Sequence, residues 1–319
     1  MANPHATQVP IRAVAIMGAT ATGKSHLALS LAHEFDGEIV SMDSRQVYRG
    51  LDIGTGKIDM DARQRVPHHL LDYLDVTETG STGRHIDLAI AAIREIDSRG
   101  RVPFIVGGTG LYFRALFAGL VDVTIPREEL ERIRATFVER ETSDLHEELK
   151  RLDPERAAAI AAADRVRITR ALELIMYTST PASDLYARQK KAADDIHYLK
   201  LVLSMPREIL RERIAERTRE LFDAGWVAEV SALVAGGVSP DAPAMKSLGY
   251  ADIADALGQR EDPAEVFDRV VTLTRQYAKR QETFFRSEID AVWLDMTHTD
   301  APERARELVS AFLRSPRPQ

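Results

Sequence analysis

Gly18-Ala19-Thr20-Ala21-Thr22-Gly23-Lys24-Ser25 fits G-x-x-x-x-G-K-[ST], and no other segment restricts the fold as strongly. The pattern needs a strand before it and a helix after it, and both are legible. Residues 12–17 (RAVAIM) form a short apolar run that reads as a buried strand. Over residues 24–35, Leu27, Leu31 and Phe35 recur every four residues, the spacing of one helical face. Glycines let the backbone wrap closely, so that successive N–H groups point at phosphate oxygens. The following helix adds its positive N-terminal end. Lys24 supplies a mobile cation and Ser25 a hydroxyl for Mg²⁺. All eight residues of the loop are therefore expected to hold a polyphosphate group.

The alternation of strand and helix continues downstream. Residues 37–42 (GEIVSM) predict a second strand that ends at Asp43. Residues 84–98 carry Ile86, Ile90, Ile93 and Ile96 along one helical face. Residues 102–106 (VPFIV) predict a third strand, running into Gly107-Gly108-Thr109-Gly110 and another helix. Such alternation implies an α/β core of the P-loop NTPase type, a parallel sheet with helices on both faces. The pattern changes after about residue 120. Residues 126–191 show no strand and read as successive helices, with starts at Ser143-Asp144 and Asp153-Pro154. A strand signal returns at residues 197–204 (HYLKLVLS), and the rest reads as mainly helical. The expected organisation is a core of residues 1–119 and 196–319, interrupted by a helical insertion at 120–195.

Charge and composition narrow what such a core serves. A net charge of −7 over 319 residues speaks against indiscriminate coating of nucleic acid, since neutralising phosphates takes Lys and Arg. It leaves room for a local basic channel. No run approaches the roughly 20 apolar residues that span a bilayer. The opening MANPHATQVP lacks the basic and apolar parts of a secretory signal and reads as a disordered lead-in. With no cysteine, disulfides and thiolate zinc sites are excluded. A cytoplasmic protein is expected.

ATPases built on this loop usually hold Mg²⁺ with an Asp at the end of an apolar strand. Here the strand at 102–106 ends in glycine, and the strand ending in an acid is 37–42. The metal-holding carboxylate is therefore Asp43 or is missing, which weakens an ATPase reading. Parallel strands bring their carboxyl ends to one edge, where ligands bind, so Asp43 is expected near Lys24. Asp43-Ser44-Arg45-Gln46-Val47-Tyr48 offers a carboxylate, a hydroxyl, a cation, an amide and a ring. That set suits reading a base edge and removing a proton from it. The bland alternative is an Asp-Ser turn capping the next segment. His68 and His69, adjacent on a strand, point to opposite faces and read as packing or hydrogen bonding, not as one metal site.

Beyond the loop, the sequence carries DSRQVY (43–48), DIGTGK (52–57), PHHLLD (67–72), GGTGLY (107–112), DRVRITRALE (164–173), LGY (248–250) and TRQYAKRQETFFR (274–286). In this combination and order the chain resembles the bacterial-type tRNA dimethylallyltransferases. The resemblance implies transfer of a dimethylallyl group from dimethylallyl diphosphate to the exocyclic N6 amine of adenosine 37. That base lies just 3′ of the anticodon, in tRNAs reading codons that begin with U. It implies that the loop grips the diphosphate of the prenyl donor, with Mg²⁺ at Ser25, and that Asp43, Thr20 and Arg217 are catalytic. Arg217 lies in RERIAERTRE (211–220), which by composition alone also suits a salt-bridged surface. The anticodon stem-loop would meet Asp43, Ser44, Arg45, Gln46 and Thr109, then Val166, Arg167, Ile168, Thr169 and Arg170 of the insertion, and Arg280 and Gln281. Basic residues with interleaved Tyr277, Phe284 and Phe285 suit single-stranded RNA. A monomer is expected.

The chain departs from the family pattern in places. Ala19 stands where Pro is common, Thr22 where Ser is, and Ile58 follows DIGTGK in place of Pro. Ala161-Ala162-Ala163 replaces His-Pro-Asn before Asp164, which alters the local anticodon-loop contacts. Two other readings use the same loop. A kinase would need ATP and an arginine-rich lid; a nucleotide-controlled RNA-binding module would not need Asp43.

Overall fold

The computed structural model describes residues 10–121, 123–189, 193–259, 261–288 and 290–316. Two compact units emerge, Met1–Leu116 with Ala193–Gln319, and Phe117–Ala192.

The first unit is built on a six-stranded sheet. Its strands are β1 (Ile11–Gly18), β2 (Gly37–Ser41), β3 (His68–His69), β4 (Val102–Gly107), β5 (Ile196–Ser204) and β6 (Val292–Asp295). They run in the order β3-β2-β4-β1-β5-β6, and every pairing is parallel. β1 is central, with Ile16 opposite Val106 of β4 and Leu201 of β5. It is buried without a break from Ala13 to Met17, which is why it reads as a continuous apolar run. Alternate residues Val14, Ile16, Phe104, Val106, Leu201 and Leu203 share one core. Leu27, Ala28 and Leu31 of helix Lys24–Glu34 join them, with Ala305 and Val309 of helix Ala301–Arg314. Each fully buried Leu or Ile there contributes about 1.5–3 kcal/mol. Ala13, Ala15 and Met17 point the other way, and helices Thr82–Ser98 and Pro263–Phe285 also pack against β1.

One strand departs from expectation: β6 falls where the sequence reads as helical. The strand expected at His68 and His69 is present as β3, only two residues long. A strand of four residues, with Trp293 42% exposed at the sheet edge, is too short for a period-two pattern to stand out. In β3, His68 Nδ1 bonds the Val66 carbonyl at 2.7 Å and His69 Nε2 bonds Glu38 at 2.6 Å.

The second unit is helical. Helices Arg127–Ala135, Thr142–Leu152, Arg165–Thr178 and Ala182–Ala187, with the short turn Pro154–Ala158, enclose Ile133, Phe137, Leu145, Leu149, Ile168 and Leu172. Asp153 caps Pro154–Ala158 by accepting from Arg156 N at 2.9 Å. It also accepts from the Ser183 amide and hydroxyl, tying down the next helix. The helix expected to start at Ser143-Asp144 begins at Thr142, and no side chain caps it. The expected lead-in lies outside the described residues apart from Pro10. No described helix is long and apolar enough to cross a membrane.

Candidate active site

The phosphate loop forms the turn between β1 and helix Lys24–Glu34. Its shape rests on local chemistry. Gly23, the helix N-cap, has φ 89°, a backbone state that favours glycine. Thr22 is buried and its hydroxyl donates to the Ala19 carbonyl at 2.9 Å. The Lys24 ammonium donates to the same carbonyl at 2.5 Å. Ala19 and Ala21 are buried against Leu210, Ile214 and Ala278, so these two residues face the loop's surroundings chiefly through backbone. Ser25 is exposed in the first helical turn.

Strand order explains how the other elements reach this loop. β4 lies between β1 and β2, so the Gly107-Gly108-Thr109 turn stands between the loop and Asp43. Thr109 N donates to the Met42 carbonyl at 3.3 Å, and Ser44 N donates to the Thr109 hydroxyl at 3.1 Å. On the opposite side, Gln281 accepts from Thr20 N at 2.9 Å and donates to the Gly108 carbonyl at 2.8 Å. Asp43 Oδ1 accepts from Arg45 N at 2.8 Å and Gln46 N at 3.3 Å, which fixes the carboxylate in an Asx turn. No described group donates to its Oδ2. Gln46 donates to the carbonyls of Thr55 and Gly56.

Three charges converge here. Burial and the Arg217 guanidinium push the Lys24 ammonium down to about 7, while Asp43 opposes both. Burial also lowers Arg217, again against the pull of Asp43. Burial, and then Asp43, push the Tyr277 phenol up to about 12. That phenol is hydrogen-bonded to Thr109. Lys24, Asp43 and Arg217 therefore act on one another here, Asp43 from the end of β2, Lys24 from the loop after β1 and Arg217 from helix Arg207–Asp223.

Three residues expected at the RNA surface are placed differently. Gln281 is 6% exposed, and both ends of its amide are taken by backbone groups, so it ties two loops together instead of presenting to RNA. Ile168 is fully buried, because position 168 falls on the inner face of its helix. Phe285 is likewise core, edge-on to Phe113. The remaining positions vary. Val166 is 78% exposed. Arg167 faces Asp164 at 3.4 Å, and Arg170 pairs with Glu173 at 3.0 Å. The Thr169 hydroxyl bonds back to Arg165 O. Arg280 is exposed over the Tyr277 ring, and Arg45 reaches the Pro243 carbonyl. Ala161, Ala162 and Ala163 are exposed in the turn before Asp164.

Sequence reasoning passed over His85 and Glu229. His85 lies under the site, fully buried, stacked on Tyr112 with ring centroids 4.2 Å apart. It carries no local signal beyond its place on the inner face of helix Thr82–Ser98. Tyr112 stood inside GGTGLY, but nothing marked it as the ring that His85 would meet.

A polyphosphate-type loop at the centre of a parallel sheet, with an acid at the end of a neighbouring strand, defines a P-loop-like α/β protein. The comparisons make this more specific. Residues 46–288 match the family described as IPP transferase, and residues 11–75 the one described as isopentenyl transferase. The chain belongs to the IPP transferase family. It is 42% identical to a tRNA dimethylallyltransferase of Methylococcus capsulatus, over 94% of this chain and 97% of that protein. Among solved structures, it is 34% identical to a tRNA isopentenylpyrophosphate transferase of Bacillus halodurans. The match has a TM-score of 0.69 and covers 95% of this chain and 96% of that one. A eukaryotic dimethylallyltransferase acting on tRNA aligns at TM-score 0.81 and 26% identity, over 97% of this chain and 81% of that one.

Proposed function

We propose that this chain transfers a dimethylallyl group from dimethylallyl diphosphate to N6 of adenosine 37, in the anticodon loop of tRNAs reading codons that begin with U. The observation that carries this reading is the shared field of Lys24, Asp43 and Arg217 at one sheet edge. It supplies cations for a departing diphosphate and a base for an attacking nitrogen.

The bond from N6 to the prenyl carbon forms as the bond from that carbon to the diphosphate oxygen breaks. The electron pair leaves on the diphosphate. Its growing charge is met by Lys24, Arg217, the Thr20 hydroxyl and the loop amides. The proton on N6 passes to Asp43 Oδ2, since Oδ1 already accepts two amides. The adenine has to leave its stack to reach this pocket, where Gln46 and Thr109 flank it. In the first unit Ser44, Arg45 and Arg280 meet the neighbouring nucleotides, and Gln281 holds the loops behind them; in the helical unit Val166, Arg167, Thr169 and Arg170 contact the tRNA. Among the described residues no cluster of three His, Asp or Glu could cage a metal. Mg²⁺ suits such a place, because it keeps waters and takes oxygens from phosphate groups, with Ser25 as the protein ligand. Bound there, it would neutralise charge on the diphosphate. The protein works as a cytoplasmic monomer.

Nucleoside mass spectrometry of tRNA incubated with the protein and dimethylallyl diphosphate tests the reading. The expected product is N6-(dimethylallyl)adenosine at position 37. Phosphoryl transfer from ATP with no prenylated nucleoside would sink it.

A further inference from the structure

The segment Asp52 to Lys57 is anchored at its far end by the Lys57 ammonium, which donates to the Tyr48 carbonyl and pairs with Asp72, and at its near end by a carboxylate on another element. Glu229, on helix Trp226–Ala235, takes Asp52 N at 2.8 Å and Ile53 N at 2.7 Å on Oε2. On Oε1 it takes Gly54 N at 3.1 Å and the Tyr250 hydroxyl at 2.6 Å. Three consecutive amides turned to one anion form a nest, here with its anion built in. Hydrogen bonds to a charged acceptor are roughly twice as strong as neutral ones. Tyr250 is fully buried, and burial and Glu229 together push its phenol up, so it stays a donor.

The far end of the same segment faces the reaction. The Thr55 and Gly56 carbonyls accept from Gln46 at 3.2 and 3.4 Å. Gly56, at φ 60°, lies so close to Arg217 that a Cβ there would stand 2.3 Å from Nη2. Arg217 feels the pull of Asp43 without a close ion pair to any described residue, and its guanidinium packs against this turn. A carboxylate outside the site thus holds one end of a loop whose other end touches two site residues.

We infer that Glu229, assisted by Tyr250, is a positioning residue for prenyl transfer, setting Gln46 and Arg217 through the 52–57 loop. The inference rests on the prenyl-transfer reading of the site. Glu229 touches neither reacting atom, so its removal acts on geometry. Small displacements of reacting groups can cost about 100-fold.

The test replaces Glu229 by Gln, which keeps the shape but turns an NH₂ toward backbone donors. Hydrogen exchange at the amides of Asp52, Ile53 and Gly54 should accelerate. In the same variant kcat should fall about 10- to 100-fold and KM for tRNA should rise, while the Kd for dimethylallyl diphosphate stays as in wild type. A merely structural role predicts loss of donor binding in parallel. Tyr250→Phe removes one donor and keeps the charge. It should lower kcat about two- to tenfold with unchanged donor Kd, and it decides the matter if Glu229→Gln does not fold. Variants with full kcat, alongside an active wild type, would overturn the positioning role alone. A wild-type protein that prenylates nothing would instead overturn the reading beneath it.

Discussion

Asp43 illustrates how two readings of one residue can coexist at atomic scale. A turn-capping Asp and a proton-accepting Asp looked like alternatives. In the structure Oδ1 does the capping and no described group donates to Oδ2, so the capping leaves the proposed proton-accepting role open. Asp43→Ala should therefore lower transfer by about 10²- to 10⁴-fold while donor still binds, checked by single-turnover kinetics beside donor titration. A fully active variant would remove Asp43 from the mechanism. Lys24 offers a pH test. With its ammonium pushed down to about 7, the free protein loses this charge as pH rises through 7. Diphosphate beside it favours the charged form, so binding takes up a proton above that pH. Diphosphate affinity should fall by up to about tenfold per pH unit above 7. Lys24→Met should bind weakly and lose this extra slope. Affinity that does not change with pH, measured by calorimetry in buffers of different ionisation enthalpy, would contradict the assignment.

Helix Arg165–Thr178 shows how an element divides the work of a motif. Residues 166–170 stand in the sequence as one tRNA-contacting stretch, while Ile168 also belongs to an apolar stripe with Leu172 and Ile175 opposite Arg167 and Arg170. At 100° per residue a helix cannot present five consecutive side chains to one partner, so Ile168 turns inward while Val166 and Arg167 turn out. Ile168→Ala should cost about 2–5 kcal/mol in urea unfolding of the protein. Asp164, whose carboxylate accepts Arg167 N at 3.0 Å, caps the helix. Asp164→Ala should cost about 1 kcal/mol. Arg167→Ala should leave the unfolding midpoint in place and weaken tRNA binding, most visibly at low salt. A large loss of stability for Arg167→Ala, or none for Ile168→Ala, would reverse this division. The sheet follows a similar logic of length. β1, β2, β4 and β5 were legible because each has five or more residues around an apolar run, whereas β6, four residues paired only to β5, carries no such run.

At the scale of the molecule, the site stands on a buried polar layer. The Ser41 carbonyl accepts at 3.0 Å from His85, so Nε2 carries the proton; Nδ1 is then free to accept from the Tyr73 hydroxyl at 3.0 Å. Burial pushes this imidazole down to about 4. The unfolded chain therefore binds a proton between pH 6.5 and 4 that the folded one refuses. Stability from this group is complete above 6.5 and drains away as pH falls through that window, by on the order of 3 kcal/mol. Urea unfolding from pH 7 to 4 should show that slope, and His85→Gln should flatten it. An unchanged slope would mean His85 does not govern it. The phosphate loop, five of the six strands and the family were readable from the chain because their information is local, carried by spacing over a few residues. Gln281 meeting Thr20 across 261 positions, Glu229 meeting the 52–54 amides, and His85 meeting Ser41 had no such signature. Their partners are set by which strands lie side by side and which helices cover them, and no stretch of sequence contains both halves of those contacts.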